Sequence, residues 1–443
     1  MVGLAEAIPD EQERRDHIFH HQLYGIAITE LTSLMSRRSL YCSKFPNGRY
    51  SVSRFETPEG NIRFKQTEHR FTDGRCAYCG ASENQFGKEV RKGLEYHAYE
   101  FVHTLKPEDI LGMKFDVIVG NPPYQLSDGG AGPSAVPIYQ MFVEQAIKLK
   151  PRFLSMIIPS RWFAGGRGLD DFRKIMLENS NVRKIIDFES SKDCFSGVDI
   201  AGGVCYFLWD RDNTGLCEIT NTSSVDSVKS IRKLNEFPVF IRSNRAVSII
   251  RKVLKKDTTF MDSMVFTQKP FGFRTYARGE SKPFSGSIKL LSSNGIGYVS
   301  RDEVIKNKDK IDMYKVIVGR LVPSNGELDV KPGEGYRVMT STKILCPGEI
   351  NTESYITLGV FNSYEEAKNF NTYVNQKFTR FLLRQSVSSV NINREAFRFV
   401  PVQDFSKNWQ DGKLYQKYGL TDEEVEYIET LMRTMDDDGD AGQ

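Results

Sequence analysis

Residues 115–124 read Phe-Asp-Val-Ile-Val-Gly-Asn-Pro-Pro-Tyr, an apolar run that ends abruptly in two prolines. The pattern over Asp116–Val119 predicts a strand buried on both faces, as in a parallel sheet. Proline lacks the N–H that continues a ladder, so the strand has to stop at Asn121. In open α/β sheets ligands bind at the carboxyl ends of strands, which is where Asn121 stands.

The tetrapeptide Asn121-Pro122-Pro123-Tyr124 suits methyl transfer to an amino nitrogen conjugated with a ring or a carbonyl. The lone pair of such a nitrogen is delocalised, which makes it a poor nucleophile. Two acceptors hydrogen-bonded to its N–H groups hold it and favour a localised lone pair in the transition state. The Asn121 side-chain carbonyl and the Pro122 backbone carbonyl are those acceptors, and the two prolines fix φ so that the carbonyl is aimed in advance. Tyr124 offers an aromatic face for a flipped base.

A chain of 443 residues has room for two or three domains. With 40% hydrophobic and 26% charged residues it has the composition of a soluble globular protein. The formal charge of +3 permits nucleic-acid binding without arguing for it. The N-terminus lacks the basic and apolar regions of a secretory signal, and no apolar run reaches the roughly 18 residues of a membrane span. Seven scattered cysteines point to a reducing cytoplasm.

Leu23–Ile28 reads as a strand and Glu30–Leu40 as a helix with Leu31, Leu34 and Met35 on one face. Residues 43–96 read as an insertion, Tyr99–His103 as a strand, and Gln125–Pro137 as a glycine-rich loop beside Asn121. A helix with Ile138, Phe142, Ala146 and Leu149 on one face follows. Then come a strand at Phe153–Ile158, a helix at Leu169–Leu177, and strands at Val182–Phe188 and Gly203–Trp209. This alternation predicts an α/β domain over 1–221, a doubly wound, mostly parallel sheet. Residues 222–443 read as an α+β domain, with strands at Tyr314–Val318, Tyr336–Thr340 and Tyr355–Gly359. Ser363-Tyr-Glu-Glu366 and Thr421-Asp-Glu-Glu424 open helices with capping boxes, the first continuing through Phe370, Val374, Phe378 and Phe381.

With these residues in place the chain resembles the restriction–modification N6-adenine DNA methyltransferases of the Asn-Pro-Pro-Tyr class. The resemblance covers about Leu23 to Trp209 and implies a Rossmann-like catalytic domain using S-adenosylmethionine on double-stranded DNA. It assigns the catalytic motif to Asn121, Pro122, Pro123 and Tyr124. It also places Phe195, in Asp193-Cys-Phe-Ser-Gly-Val198, against the other face of the flipped base. The half 222–443 resembles a DNA target-recognition domain. The family's glycine turn for the cofactor should precede the Leu23–Ile28 strand, where only about twenty residues stand and none fit. Ala27 occupies the place of the acid that holds the cofactor ribose, leaving Glu30, and Asp109 further on, to substitute. The expectation is a methyltransferase without its N-terminal cofactor segment, supplied by an upstream-encoded polypeptide or lost, with a restriction endonuclease as a further partner.

Within the insertion, Cys76-Ala-Tyr-Cys79-Gly80 is a Cys-x-x-Cys-Gly knuckle. Structural zinc takes four ligands, so Cys42 and either His69 or His97 are the candidates to complete a set, with Cys42, Cys76, Cys79 and His97 preferred. Such a site staples a segment with little apolar core.

The C-terminal half interleaves basic and aromatic residues at Lys269–Arg278, with Arg380, Arg384, Arg394 and Arg398 beyond. Gln385–Asn393 reads as a loop able to contact base edges. Two other functions fit the residues less completely: a catalytically inactive DNA-binding or specificity subunit, and a methyltransferase acting on a protein glutamine or RNA. No nuclease motif is visible.

Overall fold

The computed structural model describes residues 2–90, 98–126, 136–166, 168–198, 200, 202–223, 226–322, 335–387 and 391–435. Two compact units emerge: Met1–Trp162 with Gly166–Ile185 and Cys205–Gly215, and Phe163–Gly165 with Ile186–Val204 and Leu216–Gln443.

The first unit opens with α1 (Val2–Ala7) and α2 (Glu11–His21), the latter capped by Asp10, which accepts from the Glu13 amide at 2.9 Å. Strand β1 (Gly25–Ile26) leads into α3 (Glu30–Tyr41), where Thr29 and Thr32 form a reciprocal capping box. The face expected to be buried is not. Leu31 and Met35 are 67% and 60% exposed, while Ser33, Arg37 and Tyr41 point inward. Arg37 takes that place because its guanidinium donates to the Ile62 carbonyl at 3.0 Å.

Ile62 belongs to β2 (Ile62–Arg63), which pairs in parallel with β1. The stretch expected as an insertion therefore contributes a strand that pairs with β1. Ile62 is one of its few buried apolar residues and packs against Gly25, where a Cβ would meet Ile62 Cδ1 at 2.8 Å. A hairpin of β3 (Phe71–Thr72) and β4 (Arg75–Cys76) follows, turning on Asp73 and Gly74, both at positive φ. Then comes the short α4 (Glu83–Phe86). Tyr99–His103, expected as a strand, is a 3₁₀ turn over Glu100–Val102. The Gln145 side chain donates to the carbonyls of Phe101 (3.0 Å) and Thr104 (2.7 Å), so a side chain takes bonds that a neighbouring strand would have made.

After α5 (Glu108–Leu111) come β5 (Val117–Gly120), α6 (Tyr139–Lys148), β6 (Phe153–Pro159), α7 (Asp170–Glu178), β7 (Val182–Phe188) and β8 (Val204–Asp210). The strands lie in the order β5-β6-β8-β7, with β5 and β6 parallel, so β8 is inserted between two earlier strands. The buried Leu154, Met156 and Ile158 of β6 share the core with Phe142, Val143 and Ala146 of α6 and with Phe172 and Met176 of α7. The strand and helix expectations hold here to within a few residues.

The second unit contains β9 (Cys217–Thr222) and β10 (Ser227–Arg232), an antiparallel pair, and α8 (Asn244–Lys256). Strands β11 (Ser287–Ser292), β12 (Gly295–Ser300), β13 (Tyr314–Gly319), β14 (Lys343–Leu345), β15 (Glu349–Asn351) and β16 (Tyr355–Phe361) form two three-stranded sheets, β12-β11-β15 and β14-β13-β16. Helices α9 (Tyr364–Asn375), α10 (Lys377–Arg384), α11 (Asp411–Tyr418) and α12 (Asp422–Leu431) complete it. Val316, Leu358, Phe370, Phe378 and Phe381 belong to one core. Ser363 and Thr421 cap α9 and α12 as their patterns predict. The helix expected to run through Phe381 breaks at Gln376, whose ψ of 148° is extended. The strand expected at Tyr336–Thr340 is reduced to one bridge, Tyr336 to Met432, since Val338 sits at φ 73° and cannot continue a ladder. Among the described residues no helix is long and apolar enough to cross a membrane.

Candidate active site

Strand β5 pairs with β6 from Val117↔Phe153 to Gly120↔Met156, and the Phe153 amide donates to the Asp116 carbonyl at 2.8 Å. Asn121 leaves the ladder immediately after. Its side chain is exposed and makes no hydrogen bond among the described residues, while Pro122 behind it is buried. Pro123 and Tyr124 are half-buried. The Tyr124 carbonyl accepts from the Ile138 amide (3.2 Å), and the Leu126 amide donates to Val136 (3.1 Å), clamping the turn against the start of α6. A rigid turn thus presents an amide side chain at the carboxyl end of a parallel strand. The glycine-rich loop expected here lies at 127–135, outside the described residues.

The burial expected of this strand is not found. Val117 and Val119 are 56% and 74% exposed. β5 ends the strand order, with β6 on one side and no described strand on the other, so neither its far edge nor that face is covered. Among the described strands β1 likewise pairs only with β2. The Tyr24 and Phe115 rings, which immediately precede Gly25 and Asp116, meet edge to face at 5.8 Å. A cavity of about 400 Å³ opens beside β1 and β2, lined by Tyr24, Asn61, Arg63, Lys65 and Leu111 among others.

Glu30, first residue of α3, and Asp109, in the first turn of α5, are both exposed. Phe195 is half-buried in the second unit, its amide donating to the Ser191 carbonyl at 2.8 Å. In that unit Arg380 is not a surface cation: it is buried and donates to the carbonyls of Asn375, Arg337 and Arg433 at 3.0, 3.2 and 2.6 Å. Arg384 stacks on the Tyr336 ring at 3.8 Å, Arg394 donates to the Asp262 carbonyl and Arg398 to the Glu395 carbonyl. Of Lys269–Arg278, Phe271 is core, while Arg274, Tyr276 and Arg278 are exposed.

The knuckle cysteines gather a different pair of partners from those preferred on spacing. His69, Cys76, Cys79 and His103 bring one ligand atom each to within 4.8 Å of one another. Cys42 is exposed at the left-handed cap of α3 and is not part of this group, and His97 lies outside the described residues. His103 escaped the sequence reading because it stands 24 residues beyond Cys79, after a segment without periodicity. Burial pushes the Cys79 thiol up to about 12, against the pull of the Ala81 amide. Burial also lowers His103, opposed by its bond to the Tyr99 carbonyl.

The Asn121-Pro122-Pro123-Tyr124 turn thus closes a parallel strand of an α/β unit. The model of the Eco57I restriction-modification methylase family matches residues 21–195. An adenine-specific methylase of Mycoplasma pneumoniae, itself uncharacterized, is 36% identical over 295 residues, 59% of this chain and 68% of that protein. The type II restriction enzyme and methyltransferase RM.Eco57I of Escherichia coli is 30% identical over 123 residues, 24% of this chain and 12% of its own length. The solved type IIG restriction endonuclease BpuSI superposes at a TM-score of 0.31 with 10% identity, over 72% of this chain and 54% of that one. This chain belongs to the family of restriction–modification adenine methylases.

Methylases of this family use S-adenosylmethionine as methyl donor. The acid and the glycine turn expected to hold it are not found among the described residues around β1. Ala27 stands where β1 would offer an acid, both candidate carboxylates face solvent, and no described glycine turn joins a strand to a helix ahead of β5.

Proposed function

We propose that this chain methylates adenine N6 in duplex DNA as the modification enzyme of a restriction–modification system. The exposed Asn121 side chain ahead of the buried Pro122 carries the reading. Adenine, extruded from the duplex, places its amino group between the Asn121 Oδ1 and the Pro122 carbonyl, which accept its two N–H bonds. Both acceptors favour the amine as its nitrogen gains positive character, and the amine's proton leaves to solvent after transfer. Tyr124 carries the base on its ring, and the role of Phe195 as a second stacking ring is part of the same proposal. Residues 1–221 supply the catalytic fold and 222–443 the target recognition. A specificity subunit without chemistry has no use for an exposed amide on a proline-fixed turn.

The methyl donor enters with a second element. The open edges of β1 and β5, and the exposed Val117 and Val119, suit a docked strand that carries the glycine turn and completes the sheet. An upstream-encoded polypeptide of the same system is the proposed source, and Glu30 and Asp109 are the acids left available to the cofactor. Titration calorimetry with S-adenosylmethionine, with the chain alone and with that polypeptide, tests the arrangement. Binding is expected only to the pair; tight binding to the chain alone contradicts it.

A further inference from the structure

We infer that His69, Cys76, Cys79 and His103 bind one zinc ion that pins the β3–β4 hairpin to the turn preceding β5. The chemistry of the set is that of a closed structural site, two thiolates and two imidazoles. An ideal tetrahedral ZnS₂N₂ centre has ligand-to-ligand edges of roughly 3.3 to 3.8 Å, from Zn–S of about 2.3 Å and Zn–N of about 2.0 to 2.1 Å. Cys79 Sγ lies 3.4 Å from His69 Nδ1, already at the length of an S–N edge, and no ligand pair exceeds 4.8 Å.

The backbone around the cysteines is shaped for a metal. The Gly80 amide donates to the Cys76 carbonyl at 2.9 Å and Gly80 turns at φ 70°, so the two sulfurs of Cys-x-x-Cys-Gly face the same point. The hairpin turn at Asp73-Gly74 brings Cys76 back alongside Phe71, two residues after His69. His103 is prepared from the other side. Its Nδ1 donates to the Tyr99 carbonyl at 2.8 Å, which leaves Nε2 as the lone-pair nitrogen. That Nε2 is buried and has no hydrogen-bond partner among the described residues. A buried acceptor costs stability unless something binds it, and a cation supplies the missing partner.

Binding displaces both thiol protons to solvent, so that Zn²⁺, two thiolates and two neutral imidazoles sum to zero charge. The segment needs such a staple, because the elements around the site are a two-residue pair of strands and a four-residue helix. The staple reaches the catalytic side through the turn at Glu100–Val102. There Tyr99 and Phe101 meet the Phe142 ring of α6 at 5.8 and 6.0 Å, and Gln145 of α6 holds the carbonyls on either side of His103.

Metal analysis of the full chain, purified without a histidine tag, is the test. One zinc per chain is expected in wild type and in Cys42→Ser, with at least a roughly fivefold drop in Cys76→Ser and His103→Gln. Cobalt added to the metal-free wild-type chain should give thiolate charge-transfer bands and intense tetrahedral d–d bands. Those d–d bands should move to lower energy in His103→Cys, which retains the metal, a shift that a merely structural histidine would not produce. Less than about a fifth of an equivalent of zinc in wild type with an octahedral cobalt spectrum, or a full equivalent retained by His103→Gln, overturns the proposal.

Discussion

Gly120 pairs with Met156 on the last rung between β5 and β6, one residue ahead of Asn121. The register of a parallel pair therefore decides where the Asn121 amide stands, and Pro122 ensures that the ladder goes no further. Among the described strands none pairs with the other edge of β5, so the proposed docking edge lies one strand's width from Asn121.

That edge is testable without touching Asn121. Val119 is 74% exposed, so Val119→Asp should change the thermal stability of the chain alone by no more than about 0.5 kcal/mol. In the presence of the proposed cofactor-supplying polypeptide the same substitution should weaken S-adenosylmethionine binding at least about tenfold, as a charge at a strand edge opposes pairing. Unchanged affinity in calorimetry would mean that nothing docks there.

Gln145 makes a prediction about support. It is buried and donates to the Phe101 and Thr104 carbonyls at 3.0 and 2.7 Å. Gln145→Ala strips both carbonyls of a partner and should lower the unfolding free energy by about 2 kcal/mol in urea titrations. A loss under about 0.5 kcal/mol would show that water replaces the amide.

Much of the fold is legible in the residues. Asn-Pro-Pro fixes the end of β5, the spacing of Phe142 and Ala146 fixes the buried face of α6, and Thr421 announces α12 through its capping box. The failures share a cause: the pattern reports apolarity, and partners decide burial. Val117 and Val119 read as core because they are valines, but no described strand lies beyond them. Leu31 and Met35 read as an inward face, but Arg37 takes that position through one bond to Ile62. Tyr99–His103 has the composition of a strand, yet its carbonyls are satisfied by Gln145. The metal ligands were half visible, since Cys-x-x-Cys-Gly is a local signal and a histidine brought in by tertiary folding is not.

Arg380 separates structure from DNA contact. Being buried with three carbonyl partners, it should cost about 3 kcal/mol of stability when changed to alanine, because three acceptors lose a charged donor. The salt dependence of DNA binding by the folded variant should not change, since slope counts phosphate contacts. A reduced slope with stability intact would place the side chain on DNA.

Lys315 gives a pH signature. It is fully buried in β13, donating to the Ile311 and Met313 carbonyls at 2.8 and 2.6 Å, and burial lowers it to about 8 against the weaker pull of Asp312 and Glu349. The unfolded chain, with an ordinary lysine near 10.5, binds more protons between these values, so stability rises with pH across that window. The gain is fully present above about 10.5 and lost as pH falls through about 8, amounting to at most about 3 kcal/mol. Lys315→Met should remove this rise from thermal melts between pH 7 and 10; an identical pH profile in the variant would contradict the burial of a titrating amine.

The account rests on Asn121. Long-read sequencing that reports N6-methyladenine, applied to a host carrying the intact locus and to a strain whose only copy encodes Asn121→Ala, tests it most directly. The predicted result is methylation of one discrete DNA motif in the first strain and its disappearance in the second, with the variant chain present at normal level. Methylation of the same motif at the same extent in the Asn121→Ala strain would contradict it.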